Sequence, residues 1–176
     1  QLLVDARRIN DHQGRRLLDR LQSAADLKTG DSITLLGVAY KADIDDPRDS
    51  PTLLVAEECR NRGINVRLHD PLVAEGEYHG FMIENDLDAA LEGADAVMLL
   101  TDHTAYHGLD PEQLLRQMQG QWIADGRHVL DRDRYLEAGF RVLTLGIGQA
   151  EKWTEPKVVV NGRVGTNRVE ALAGNL

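Results

Sequence analysis

At 176 residues, 42% hydrophobic and 28% charged, the chain has the length and balance of one globular domain with a real core, and no apolar run approaches the roughly 20 residues of a membrane-spanning helix. A net charge of −9 argues against a nucleic-acid partner, because phosphate contacts need a basic surface. Cys59 is the one cysteine, which excludes an internal disulfide and a cysteine-held structural zinc and fits a cytoplasmic protein.

Residues 1–25 place apolar side chains at Leu2, Leu3, Ala6, Ile9, Leu17, Leu18 and Leu21, the spacing of a helix with a weak middle at Gln13 and Gly14. The pattern starts without a cap and without a secretory leader. Position 1 is Gln and the first methionine is Met82, so the chain is expected to be part of a longer protein. "SITLLGV" reads as a buried strand. Ser50 is then a candidate N-cap with Pro51 at the first helical position, and Gly63 is the stop after a helix ending near Arg62. "INVRLHDP" is a second strand and "GFMIE" a short third. "DLDAALEGA" is a helix capped by Asp86 or Asp88, and "DAVMLLT" is a fourth strand, continuously apolar as when covered on both faces. "DPEQLLRQMQG" is a helix with Pro111 just inside its start, "QWIAD" a fifth strand, "DRDRYLEAG" a helix and "FRVLTLG" a sixth strand. Beyond these, "KVVVNGRVGT" reads as a hairpin about Asn161 and Gly162, and "NRVEALAG" as a short helix. A disordered tail is the alternative there.

Strands alternating with helices of about ten residues predict right-handed βαβ units. The expected fold is a three-layer α/β/α sandwich with an open, mostly parallel, Rossmann-like sheet of five to six strands. Residues 1–26 would be the end of a long linking helix, 30–149 the domain and 150–176 a tail. Ligands of such sheets sit at the carboxyl ends of the strands, near the switch in strand order. In this chain those ends are the 37–50 loop, Asp70 with Pro71, residues 101–106 and residues 125–128.

The 37–50 loop, "GVAYKADIDDPRDS", follows its strand with one glycine where a dinucleotide loop has three, and its helix starts late. It offers Tyr40, Lys41 and Arg48 instead. Lysine meets phosphate as a point charge and arginine as a fork, so the set suits a sugar or base beside a diphosphate. Arg48 could equally pair with Asp45, Asp46 or Asp49 and only hold the loop. Asp43, Asp45, Asp46 and Asp49 lack the glycine and closing glutamate of a calcium loop, and no metal is expected. Asp70 stands where a dinucleotide fold carries its ribose acid, but it is read as a turn residue before Pro71. His103, with Tyr106 and His107, could contact a ligand at the mouth. Gly126 would let the chain turn sharply and aim Arg127 at the crevice of Lys41. Cys59, mid-helix beside Glu57 and Glu58, is a packing cysteine and no nucleophile.

Four stretches carry a resemblance. "GVAYKADIDDPRDSP" resembles the signature loop of the UDP-glucose/GDP-mannose dehydrogenases. "ADAVMLLTDHTAY", "ADGRHVLD" and "GFRVLTLGIG" resemble their later segments in the same order, and "ARRINDHQ" resembles the end of their central helix. The resemblance implies the C-terminal, UDP-binding half of an NAD-dependent enzyme that oxidises a sugar C6 alcohol to a carboxylate in two steps. NAD and the catalytic cysteine would belong to an N-terminal half, so this chain by itself would hold no cofactor and no catalytic residue. Tyr40 and Lys41 would line the nucleotide-sugar site, Arg127 would reach the sugar or diphosphate, and Asn10, on the joining helix that helps the family form homodimers, would be a further substrate-binding residue. "NDH" and "DDPRDSP" lean toward the branch acting on N-acetyl-mannosamine-type sugars. A free-standing nucleotide-binding module without chemistry is the rival reading. Neither nucleic acid nor membrane is expected as a partner.

Overall fold

The computed structural model describes the backbone of residues 2–146, 158–160 and 163–165, and the side chains of residues 12–146. Five helices, α1 (Leu2–Ala25), α2 (Pro51–Asn61), α3 (Leu87–Leu91), α4 (Pro111–Gln117) and α5 (Arg132–Glu137), surround a sheet. Its strands are β1 (Ser32–Leu36), β2 (Asn65–His69), β3 (Gly76–Tyr78), β4 (Phe81–Glu84), β5 (Ala96–Leu99), β6 (Trp122–Asp125) and β7 (Arg141–Thr144), in the order β3-β4-β2-β1-β5-β6-β7. All neighbours are parallel except β3 against β4. The order runs outward from β1 to β2 and β4, then returns to β5, β6 and β7 on the other side, so the switch point lies between β1 and β5.

The caps that the sequence signals are present. Ser50 accepts the Thr52 N–H ahead of Pro51, and Asp86, not Asp88, caps α3. Asp110 and Asp131 cap α4 and α5. α2 ends with Gly63 at φ +73 and the Ile64 N–H bonded back to the Cys59 carbonyl, a left-handed stop that glycine adopts without a Cβ clash.

Alternating strand residues fill two cores. Ile33, Leu35, Ala96, Met98 and Ala124 face α1 and α2, against Leu17, Leu18, Leu21, Val55, Ala56 and Cys59. Leu36, Val97, Leu99 and Ile123 face the other layer, against Leu91, Leu114, Tyr106, Tyr135 and Phe140. Leu17, Leu18 and Leu21 are essentially inaccessible, and each such burial stabilises by roughly 1.5–3 kcal/mol. They dock α1 on the sheet as an integral part of the outer layer. Gly14, expected as the weak middle of that helix, sits inside an unbroken α1 where it crosses α2; a Cβ there would lie 2.7 Å from Val55 Cγ2. The glycine is a packing requirement.

The sheet has seven strands, one more than expected. The extra one, β3, is a three-residue edge strand with a single apolar side chain, Tyr78, on the core. It is made by the turn that follows it: Tyr78 pairs with Phe81, and His79 (φ +53) and Gly80 (φ +78) between them both take the left-handed conformation of a tight hairpin. A separate unit, residues 147–176, contains β8 (Val158–Val160) antiparallel to β9 (Arg163–Gly165). The helix expected at "NRVEALAG" lies outside the described residues.

Register positions the candidate site. Leu36 pairs with His69 on one side and Leu99 on the other; Leu99 pairs with Asp125, and Asp125 with Thr144. The parallel strands therefore end in line, and every segment that follows them leaves from one rim.

Candidate functional site

Gly37 opens the rim. Its φ is +91, and a Cβ would lie 2.4 Å from Thr101 Cβ and 2.8 Å from Thr101 N. The glycine is needed because the chain leaving β1 presses against the chain leaving β5. Its N–H donates to the His69 carbonyl (2.8 Å), and its own carbonyl accepts from the hydroxyls of Thr52 (2.8 Å) and Thr101 (3.2 Å).

The next two amides meet a carboxylate. Asp70 Oδ2 accepts the N–H groups of Val38 (2.7 Å) and Ala39 (2.8 Å), and Oδ1 accepts those of Leu72 (2.9 Å) and Val73 (3.0 Å). Asp70 is wholly buried. Burial opposes its charge, but the four backbone donors outweigh burial and hold its pKa below the ordinary carboxylate value. A dinucleotide fold would offer those first loop amides to a pyrophosphate. Here an internal anion takes them, and Thr101 closes the approach at Gly37. These residues do not fit NAD in the dinucleotide manner.

His103, expected at the mouth as a ligand contact, is enclosed with no exposed surface. Its Nε2 lies 3.1 Å from Asp70 Oδ2, and its Nδ1 accepts the Asp43 N–H at 3.0 Å. This arrangement assigns the neutral tautomer protonated at Nε2, with both nitrogens engaged inside the protein. His69 beside it contacts the Tyr106 hydroxyl (2.9 Å) and the Asn85 carbonyl (3.2 Å), and burial lowers its pKa. Tyr106 is buried against both imidazoles, and its pKa is raised. The rim between β2 and β5 is thus a closed polar knot, without space for a substrate proton to be exchanged.

Above the knot the 40–49 stretch folds on itself. The Tyr40 N–H donates to the Asp46 carbonyl (2.9 Å), and Asp43 and Asp49 take φ +57. Arg48 is forked on Asp46, with Nε to Oδ1 at 2.7 Å and Nη2 to Oδ2 at 2.6 Å. That pair holds the Asp46 pKa at about 2. Arg48 is thus paired with Asp46 on the surface of the loop, the contact its second reading named. Tyr40 is half exposed and Lys41 exposed, and among the described residues neither side chain has a hydrogen bond or ion pair. Asp43, Asp45, Asp46 and Asp49 belong to no group suited to a metal ion among the described residues.

The rim beyond β6 is built differently. Buried Asp125 accepts the N–H groups of Arg127 (2.8 Å) and Leu130 (2.9 Å), closing a tight turn. Gly126, expected where the chain turns sharply, is required there for space: a Cβ would lie 2.9 Å from the Leu99 carbonyl and 3.3 Å from Leu17 Cδ2. The left-handed residue is His128, at φ +59. Arg127 emerges exposed and lines a cleft of about 90 Å³ with Gln13 and Gly14 of α1, Pro51 and Thr52 at the start of α2, and Leu100 and Leu145. The α2 N-terminus adds the positive end of its dipole. Lys41 is not among the residues that line this cleft, which joins Arg127 to α1 and the first turn of α2. Asn10 lies in α1, ahead of the residues whose side chains are described. Cys59 is buried, and burial pushes its thiol up to about 12, which leaves it inert.

Sequence reasoning placed residues 101–106 and 125–128 at the rim but gave no role to Thr101, Thr104, Asp125 or Gly14. Asp125 had a signal, an Asp-Gly pair at a strand end, but the threonines and Gly14 act on residues distant in sequence.

The profile of the UDP-glucose/GDP-mannose dehydrogenase family, UDP binding domain, matches residues 34–132. Among characterised proteins, the chain is 28% identical to a UDP-N-acetyl-D-mannosamine dehydrogenase of Methanocaldococcus jannaschii, over 85% of this chain and 34% of that one. It is 35% identical to the enzyme of the same name from Pyrococcus horikoshii, over 73% and 30% respectively. A UDP-glucose 6-dehydrogenase of Bacillus subtilis is 27% identical, over 83% and 34%. The crystal structure of an NDP-N-acetyl-D-galactosaminuronic acid dehydrogenase from Methanosarcina mazei superimposes with a TM-score of 0.75 at 29% identity, covering 83% of this chain and 32% of that one. The chain thus spans about a third of the length of these relatives.

Proposed function

Because this chain belongs to the UDP-glucose/GDP-mannose dehydrogenase family through its UDP binding domain, we propose that it binds the nucleotide diphosphate of a UDP-sugar along the carboxyl rim of the sheet. Arg127 and the α2 N-terminus would face one part of the diphosphate, and Tyr40 and Lys41, on the loop that runs into α2, would face the rest. The observation that carries the reading is the cleft at Arg127, where an exposed guanidinium without a partner among the described residues stands over the first turn of a helix. Each charge-assisted contact there contributes on the order of 1.5–3 kcal/mol when sheltered.

The chemistry would belong to the longer protein. Cys59 is inert and His103 enclosed, so the visible residues would contribute binding energy remote from the reacting C6 alcohol and hold the sugar in place. The NAD-dependent oxidation of that alcohol to a carboxylate would then take place on a second domain, with an N-acetyl-mannosamine-type sugar, as two relatives are named for, or UDP-glucose, as a third is named for, as the substrate. Calorimetry with UDP, UDP-glucose, UDP-N-acetylmannosamine, GDP-mannose and NAD tests this. UDP and its sugars should bind the 176-residue chain and NAD should not; binding of NAD without UDP sinks the reading.

A further inference from the structure

Tyr40 and Lys41 sit between two fixed points. Before them, the Thr101 hydroxyl donates to the Ala39 carbonyl at 2.8 Å. After them, Asp43 is held from three directions. Its N–H enters buried His103 at 3.0 Å, its Oδ1 accepts the Thr104 N–H at 2.9 Å, and its Oδ2 accepts the Thr104 hydroxyl at 2.7 Å. Asp43 also takes φ +57, a conformation aspartate and asparagine tolerate better than other side chains. Both residues of the Asp43–Thr104 contact are exposed, so it adds little to the core. Its effect falls on the loop.

A long loop carrying a tyrosine and a lysine towards solvent loses conformational freedom when a ligand orders it. A loop ordered beforehand avoids that cost, because the apparent dissociation constant is the intrinsic one divided by the fraction of chains in the competent conformation. We infer that Asp43 and Thr104 are positioning residues, a clasp between the 40–49 loop and the segment after β5 that sets Tyr40 and Lys41 in place for the nucleotide diphosphate. The inference rests on the UDP-binding reading above. Neither residue touches the ligand. Thr104 acts on Asp43, Asp43 on the backbone of the loop, and the loop on the side chains of Tyr40 and Lys41.

Substitutions separate positioning from stability. Asp43→Ala removes both carboxylate contacts, and Thr104→Val removes the hydroxyl without straining the backbone. Asp43→Asn retains an acceptor and the left-handed preference, and Thr104→Ser retains the hydroxyl. By calorimetry with UDP on the 176-residue chain, Asp43→Ala should raise Kd about tenfold and Thr104→Val about threefold, with the Asn and Ser variants within about twofold of wild type. Melting temperatures of Thr104→Val and Thr104→Ser should agree within about 2 °C. UDP affinities of Asp43→Ala and Thr104→Val equal to wild type overturn the inference. If the wild-type chain binds no UDP, the binding reading itself has failed, and amide exchange decides the clasp. Protection of the amides of Tyr40 and Asp43 that is lost in Asp43→Ala and kept in Asp43→Asn upholds a preordered loop. Equal protection in Asp43→Ala and wild type overturns it.

Discussion

Two stretches of one rim differ in what their polar atoms do. Between β2 and β5, Asp70 receives four backbone N–H groups and His103 engages both ring nitrogens, all away from water. Beyond β6, Asp125 closes its turn internally but Arg127 is left outside, over a cleft and a helix start. Both stretches contain the residue types that suggest chemistry. The difference teaches that a buried acid, imidazole and phenol are evidence of structure once every donor has its acceptor, whereas a cation without a partner among the described residues, beside a concave surface, points to a ligand.

The comparison can be broken most directly at Asp70. Asp70→Ala leaves three buried amides and the part-buried one of Leu72 without their acceptor, and the expected loss is about 3–5 kcal/mol. A fall of roughly 10 °C or more in melting temperature would follow; a melting curve unchanged from wild type would show that the knot does not hold the rim. Next, Gly37→Ala combines φ +91 with a Cβ 2.4 Å from Thr101 Cβ, and should cost about 2–4 kcal/mol in denaturant unfolding.

Acid provides a graded version of the same test. Burial lowers the folded-state pKa of His69 below its ordinary 6.5, so the unfolded chain binds its proton first and stability falls as pH drops below about 6.5. The folded-state pKa of Asp70 is lowered from 3.8, so its contribution is present above that pH and is lost as pH falls further, towards the lowered value. Unfolding midpoints measured from pH 8 to pH 3 should show the first decline near 6.5. His69→Gln should remove that decline.

On the open stretch the expectation reverses. Arg127→Ala should weaken UDP binding about tenfold while stability stays within about 0.5 kcal/mol, read by calorimetry and by melting of the same sample. Smallest of all, Arg48→Ala should leave UDP affinity unchanged within about twofold, since its guanidinium is committed to Asp46 on an exposed surface. A large loss of affinity in Arg48→Ala would return that residue to the ligand.

Much of the architecture was legible because its causes are local. Strand and helix periodicity, the caps at Ser50 and Asp86, the stop at Gly63 and the turn role of Asp70 each depend on neighbours a few residues away. The edge strand β3 was missed because three residues with one apolar side chain are too few to show a period; a hairpin turn across His79 and Gly80 creates it. The loop signature pointed to the carboxyl rim of the sheet, but it could not separate Arg48, which turns back on Asp46, from Lys41, which does not.

Order along the chain determined by itself the alternation of strands and helices, the ends of those elements and the rim at which their loops gather, since backbone dihedrals, caps and hydrophobic period act over short separations. Tertiary structure alone decided that Gly14, Gly37 and Gly126 are glycines for lack of space, that His103 is enclosed, and that Arg127 faces α1 and the start of α2. Those outcomes depend on which distant atoms come within about 3–4 Å of one another, and sequence separation carries no record of that distance.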